Sequence, residues 1–260
     1  MSKLAQTRPI LFKEILRYRF FDLITCSLCV ALFIIPNIIF NIFIESSFLN
    51  EFYLINYIVV YSLKIICFII FGLGVSGGLY FMKRLTFGEG ASVRTDFFLG
   101  IRKNFKMFSL IYFFIGLFYA LVKINNAILS ITFSDNMFIM TIFNGINYTF
   151  LMLIIIISIF MQTQTILYKA TFFQLLKNSI KFLVGNIFKN IGIFLLTMFP
   201  FIIIEFIQNS LISYVCICFY GLIYFAIALL IINLYSNSVF DKSINKDYFP
   251  EMIRKGLNND

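Results

Sequence analysis

The sequence has no histidine, and only 13% of its 260 residues are charged. Without histidine it lacks the commonest metal ligand and the usual general base near neutral pH. Soluble domains carry about 25% charged and roughly 45–50% apolar residues. Here 61% of the residues are hydrophobic and 19% aromatic, with a mean hydropathy of +0.94. That leaves too little polar surface to cover a water-soluble fold. A soluble enzyme is excluded as a default, together with a disordered or collagen-like chain. The sequence also contains no G-x-S-x-G, no H-E-x-x-H and no Walker loop. The expectation is a protein that is not an enzyme and holds no cofactor or metal.

Five cysteines are present, but Cys26, Cys29, Cys67, Cys216 and Cys218 all lie in apolar runs. There a free thiol behaves as a small hydrophobe. Cys26 and Cys29 make a C-x-x-C, yet no second pair in a polar loop completes a zinc site. The glycines Gly72, Gly74 and Gly77 spell a formal G-x-G-x-x-G. A dinucleotide site needs a strand before it and an acidic residue about twenty positions on. These glycines fall inside an apolar run, so that reading is rejected. Gly74, Gly77 and Gly78 are expected instead to let helices approach closely in lipid; locally unwound backbone lining a cavity is the alternative.

What the chain does have is long hydrophobic runs. Six spans are read at roughly 21–44, 53–82, 106–129, 137–161, 187–208 and 211–235. Residues 1–20 form a basic N-terminal segment and 236–260 a polar tail. The first nineteen residues are polar and basic, and the run that follows is too long for a signal-peptide core. The first span is therefore expected to stay as an uncleaved anchor. Pro36 and Pro200 fall within spans, where each would kink a helix and free a carbonyl.

The net charge is +9, and its placement gives the orientation. Nineteen of the twenty-one Lys and Arg side chains fall in the N-terminal segment, the 83–106 and 162–190 connections, and the tail. The opposite turns carry Glu45, Glu51, Asp135 and, near a span end, Glu205. By the positive-inside rule both termini are cytoplasmic and the span count is even. Interspersed among apolar runs, these cations point to anionic lipid headgroups rather than to nucleic acid.

Two cytoplasmic stretches read as surface amphipathic helices. In 93–108, Val93, Phe97, Phe98, Ile101, Phe105 and Phe108 share one side, with Arg102, Lys103 and Lys106 on the other. Ser92 is placed to cap that helix. In 168–189, Lys177 and Lys181 lie opposite Phe172, Leu175, Leu176, Ile180 and Leu183. Such helices anchor in the headgroup plane or form a docking surface for a partner. FFLGIRKNFKMF at 97–108 also lines up with FFQLLKNSIKFL at 172–183 after one gap, as in a duplicated hairpin.

Two lysines stand apart. Lys123 is expected to snorkel outward along its stem. Lys64 lies deep in the second span, where a cation costs on the order of 3 kcal/mol on insertion scales. Pairing with Glu205, or facing a wet cavity, would offset that cost, so Lys64 and Glu205 are the candidate intramembrane polar site. Asp22 is expected at the interface beside the basic N-terminus.

The run GLGVSGGLYFMKRLTFGEGASVRTDFFLGIRKNFKMF at 72–108 resembles the YesL-type family of bacterial membrane proteins. The shared parts are the small residues leading to Tyr80, the basic pair Lys83 and Arg84, Gly88 and Glu89, the Phe97–Phe98 pair, and Lys103 to Lys106. The resemblance covers the first half of the chain well and the second half by hydropathy alone. It implies a multi-pass protein of the bacterial plasma membrane, of largely undefined role, with some members associated with sugar import. The expected function is a non-enzymatic accessory or scaffold, with another membrane or transporter subunit as its expected partner. A small-molecule or ion transporter with Lys64 in its path and a lipid-binding protein stay open. The expected fold is all-α: a bundle of about six transmembrane helices with two interfacial ones.

Overall fold

The computed structural model describes residues 7–45, 54–134, 136–206 and 210–257, and among these it contains helices and no strand. The chain begins with α1 (Arg8–Tyr18), α2 (Phe20–Leu32) and α3 (Ile35–Phe40), the last running into a π-turn at Asn41–Glu45. Then come α4 (Leu54–Thr86), α5 (Val93–Thr132), α6 (Met137–Leu167), α7 (Phe172–Gly185), α8 (Ile187–Phe206) and α9 (Ser210–Asp241). A short α10 (Ile244–Tyr248) and a 3-10 turn at Pro250–Met252 complete the tail.

Helices α4, α5, α6 and α9 are each long and apolar enough to cross a bilayer alone. The pairs α2–α3 and α7–α8 qualify as bent units, with bends of 41° and 102°. At the first bend Pro36 has no N–H to give the Leu32 carbonyl, and Phe33 and Ile34 bond three residues back, to Val30 and Ala31. Helix α8 continues through Pro200. Large side chains along the outside, such as Ile55, Leu63 and Ile66 of α4, are exposed and would meet lipid. Within the bundle, Leu23, Cys26, Leu79, Phe81, Phe97, Phe108 and Leu230 form a continuous core. A second cluster around Phe160, Phe182 and Phe240 joins α6, α7 and α9.

Contacts between chain ends fix the path. Arg8 of α1 pairs with Asp241 at the end of α9, 2.5 Å apart. Lys255 of the tail donates to Glu89 between α4 and α5 at 3.1 Å. The Tyr168 hydroxyl, just past α6, donates to Asn245 at 2.6 Å. The start of α1 and the ends of α4, α6 and α9 therefore share one end of the bundle. Counting the bent pairs α2–α3 and α7–α8 as one span each brings the candidate passes from four to as many as six. Reporter domains fused to the two termini are expected to report the same side of the membrane; opposite sides would break this path.

The segment 93–108 departs from its expected form. It is not a separate surface helix but the first turns of α5, a single helix of 40 residues. At 1.5 Å per residue α5 spans about 60 Å, twice a hydrocarbon core, so it projects beyond the membrane at the basic end. Its Val93, Phe97 and Phe108 are buried against protein, whereas Phe98 and Phe105 stay exposed. A period of 3.6 reveals an apolar face but not whether protein or headgroups cover it. Helix α7, by contrast, is a separate amphipathic helix, as expected, turned sharply from α8. It starts with a capping box in which the Thr171 N–H donates to Gln174 at 2.9 Å. The two similar segments are thus set differently: Phe172 and Phe173 open α7 directly after Thr171, whereas Phe97 and Phe98 lie in the second turn of α5, which starts after Ser92.

Candidate functional site

The glycine-rich part of α4 is an uninterrupted helix, so its glycines pack rather than unwind. Each meets a different neighbour. A methyl group at Gly74 would lie 2.8 Å from Phe33 beyond α2, one at Gly77 2.8 Å from the Phe97 carbonyl oxygen of α5, and one at Gly78 2.5 Å from Leu229 of α9. The Ser76 hydroxyl adds a hydrogen bond to the Gly100 carbonyl at 3.1 Å. The motif is a three-sided packing node.

One turn further on, the same hairpin builds its polar end. Asp96 is almost fully buried and pairs with the Arg84 guanidinium. Its other oxygen accepts the Ser92 N–H at 2.8 Å. Ser92 does occupy the N-cap position, but its side chain makes no capping bond; the Asp96 carboxylate reaches back to the backbone N–H there instead. Arg84 also donates to the Glu89 carbonyl at 2.9 Å, and Glu89 receives Lys255. Next to Lys255, Gly256 has φ +82° and a Cβ there would lie 2.0 Å from the Thr86 carbonyl oxygen. Only glycine suits both the left-handed backbone and that approach. At the other corner Asp241 takes Arg8, Asn245 at 2.9 Å and the Arg254 N–H at 3.3 Å. Burial pushes the Tyr168 hydroxyl well above its ordinary pKa, the Asp241 charge adds to this, and the bond to Asn245 opposes it. It therefore stays a neutral donor at physiological pH.

On this braced end the expected basic residues divide into two groups. Arg102, Lys103 and Lys106 are exposed and, with Lys169, line a cleft of about 730 Å³ between α5 and the α6–α7 connection. Among the described residues no carboxylate lines that cleft, and Phe105 and Ile101 give it an apolar side. Lys103 is held by Tyr80, 3.2 Å from its hydroxyl and 5.4 Å from its ring centre. Lys83 lies over the same ring at 5.8 Å. Lys177 and Lys181 are exposed on α7 and do not line the cleft. Arg19 and Asp22 pair at 3.1 Å beside α1, where Asp22 was placed by its position.

Lys64 is only 4% exposed, its side chain covered by neighbouring parts of the chain. Its ammonium lies 5.5 Å from the Tyr61 ring centre and 5.3 Å from that of Tyr119. Lys123 approaches Tyr119 at 5.6 Å. A desolvated cation over an aromatic face gains about 2 kcal/mol, which offsets much of the insertion cost. The aromatic partners were missed in the sequence, although Tyr61 stands three residues before Lys64. The Glu205 side chain, and with it the expected Lys64–Glu205 pairing, lies outside the described residues, as do the side chains of Glu45, Glu51 and Asp135. Lys64 does not line the cavity at the centre of the bundle, although Cys67 and Phe68 do. Cys26 is buried in α2 with Cys29 half-buried near it, and among the described residues no cluster of metal-ligating side chains forms.

Comparison of the chain with family models, with curated proteins and with solved structures gives no match. The geometry alone supports a multi-pass, all-α membrane protein.

Proposed function

We propose that the chain is a non-enzymatic integral membrane accessory or scaffold protein of the YesL type, lying in a bacterial plasma membrane. Its basic end faces the cytoplasm and docks the acidic surface of another membrane or transporter subunit. One observation carries this reading: Arg102, Lys103, Lys106 and Lys169 converge on a cleft with no carboxylate among its described residues, at an end stiffened by ion pairs between distant parts of the chain. A preorganised patch of one sign steers and orients a partner of the opposite sign. The positive-inside rule supplies the cytoplasmic orientation. The setting of carbohydrate uptake comes from the family resemblance.

Photocrosslinking from position 105 in native membranes tests the docking. A discrete adduct with one membrane protein is expected, weakened by salt and lost in the Arg102→Glu/Lys106→Glu variant. Both residues are exposed, so the variant should fold as the parent does. Adducts with lipid alone would replace the docking surface by a headgroup site.

A further inference from the structure

A cavity of about 240 Å³ occupies the centre of the bundle, with walls from α2–α3, α4, α5, α6, α8 and α9. Among the described residues its wall is mainly aliphatic and aromatic and contains no Asp, Glu, Lys or Arg. A charged ligand would be stripped of water there and would meet no opposite charge among the described wall residues. An apolar cavity of about 150 Å³ already accommodates benzene, so this one has room for a small hydrocarbon body.

The wall also carries an under-used polar cluster. Tyr112 donates to Gln162, and Gln162 to Ser158, both at 3.4 Å, the long limit of a hydrogen bond. Asn37 stands in the same wall with its side-chain oxygen buried and without a hydrogen-bond partner. Such an oxygen forfeits about 1–3 kcal/mol until something donates to it. The bend before Pro36 is what redirects the first span so that Ile34 and Asn37 form this wall. Helix α3 packs mainly on α4, while α8 packs on α6, α7 and α9. The two flank the cavity while packing on other neighbours.

We propose that the central cavity binds a neutral, largely hydrocarbon molecule bearing a single hydroxyl, taken up from the bilayer. The hydrocarbon body fills the apolar wall, and the hydroxyl engages Asn37 or the Tyr112–Gln162–Ser158 chain. This site is independent of the basic cleft.

Octanol carrying a diazirine is the probe, applied to the full chain in lipid nanodiscs, with labelled residues located by mass spectrometry. Labels are expected on wall residues such as Phe71, Met198 and Phe225, suppressed by excess octanol. Octane, which lacks the donor, should compete about fivefold less well, and octanoate should not compete. Ala228→Phe, which fills the space, should abolish wall labelling. Asn37→Leu, which keeps the volume, should shrink the preference for octanol over octane. Should Ala228→Phe fail to fold, the competition series in the parent chain still decides. Labels confined to outward residues such as Leu63 and Ile66, or equal competition by octane and octanol, would overturn the proposal.

Discussion

Arg84→Ala is expected to lower stability by about 3 kcal/mol, the lower end of the range for breaking a buried ion pair. The lower end applies because the Arg84 side chain is 28% exposed, whereas that of Asp96 is 2% exposed. Removing the guanidinium leaves the Asp96 carboxylate buried with only the Ser92 N–H as a partner. It also frees the Glu89 carbonyl and loosens the loop that receives the tail. Arg84→Met combined with Asp96→Leu removes both charges and should recover most of the loss. A deficit of about 1 kcal/mol should remain, because the Ser92 N–H then has no acceptor. Thermal unfolding of the parent, Arg84→Met, Asp96→Leu and the double variant in mild detergent gives the coupling directly. Additive losses would mean that the two side chains do not stabilise one another.

That pair shows what a sequence conceals. The apolar spans, the crowding of cations at one end and the depth of Lys64 in its span follow from hydropathy and charge, because lipid imposes a solvent boundary on every residue. Which acid meets which base is a different matter. Arg84 and Asp96 are separated by a loop, Glu89 and Lys255 by most of the chain, and Arg8 and Asp241 by nearly all of it. No periodicity encodes such pairings; they arise only once the folded bundle brings the helix ends together. The first turns of α5 were misjudged for a related reason. Phe97 and Phe108 have the spacing of a headgroup anchor, but both are buried in the core, and Phe97 lies against α4, where Gly77 admits it. The central cavity was invisible for a third reason. It is volume left over between six segments, and no single segment carries its signature, although Pro36 signalled the bend that turns Asn37 into its wall.

Gly77→Leu is expected to abolish recovery of monodisperse protein, and Gly77→Ala to cost about 1–3 kcal/mol through overpacking. The obstacle at Gly77 is backbone. A new Cβ would lie 2.8 Å from the Phe97 carbonyl oxygen, and Phe97 itself is fully buried in the core. A flexible side chain could swing aside, but this oxygen moves only if α4 and α5 separate, which would also pull Ser76 from the Gly100 carbonyl. Gly145 in α6 provides the contrast, because a Cβ there meets nothing within 4 Å. Gly145→Ala should leave stability unchanged or raise it by up to about 1 kcal/mol through helix propensity. Both substitutions add one methyl group to a glycine in a long membrane helix. Equal unfolding temperatures for the two would show that α4 and α5 are not in contact at Gly77, whereas a loss confined to Gly77→Ala places the packing node where Phe97 crosses α4.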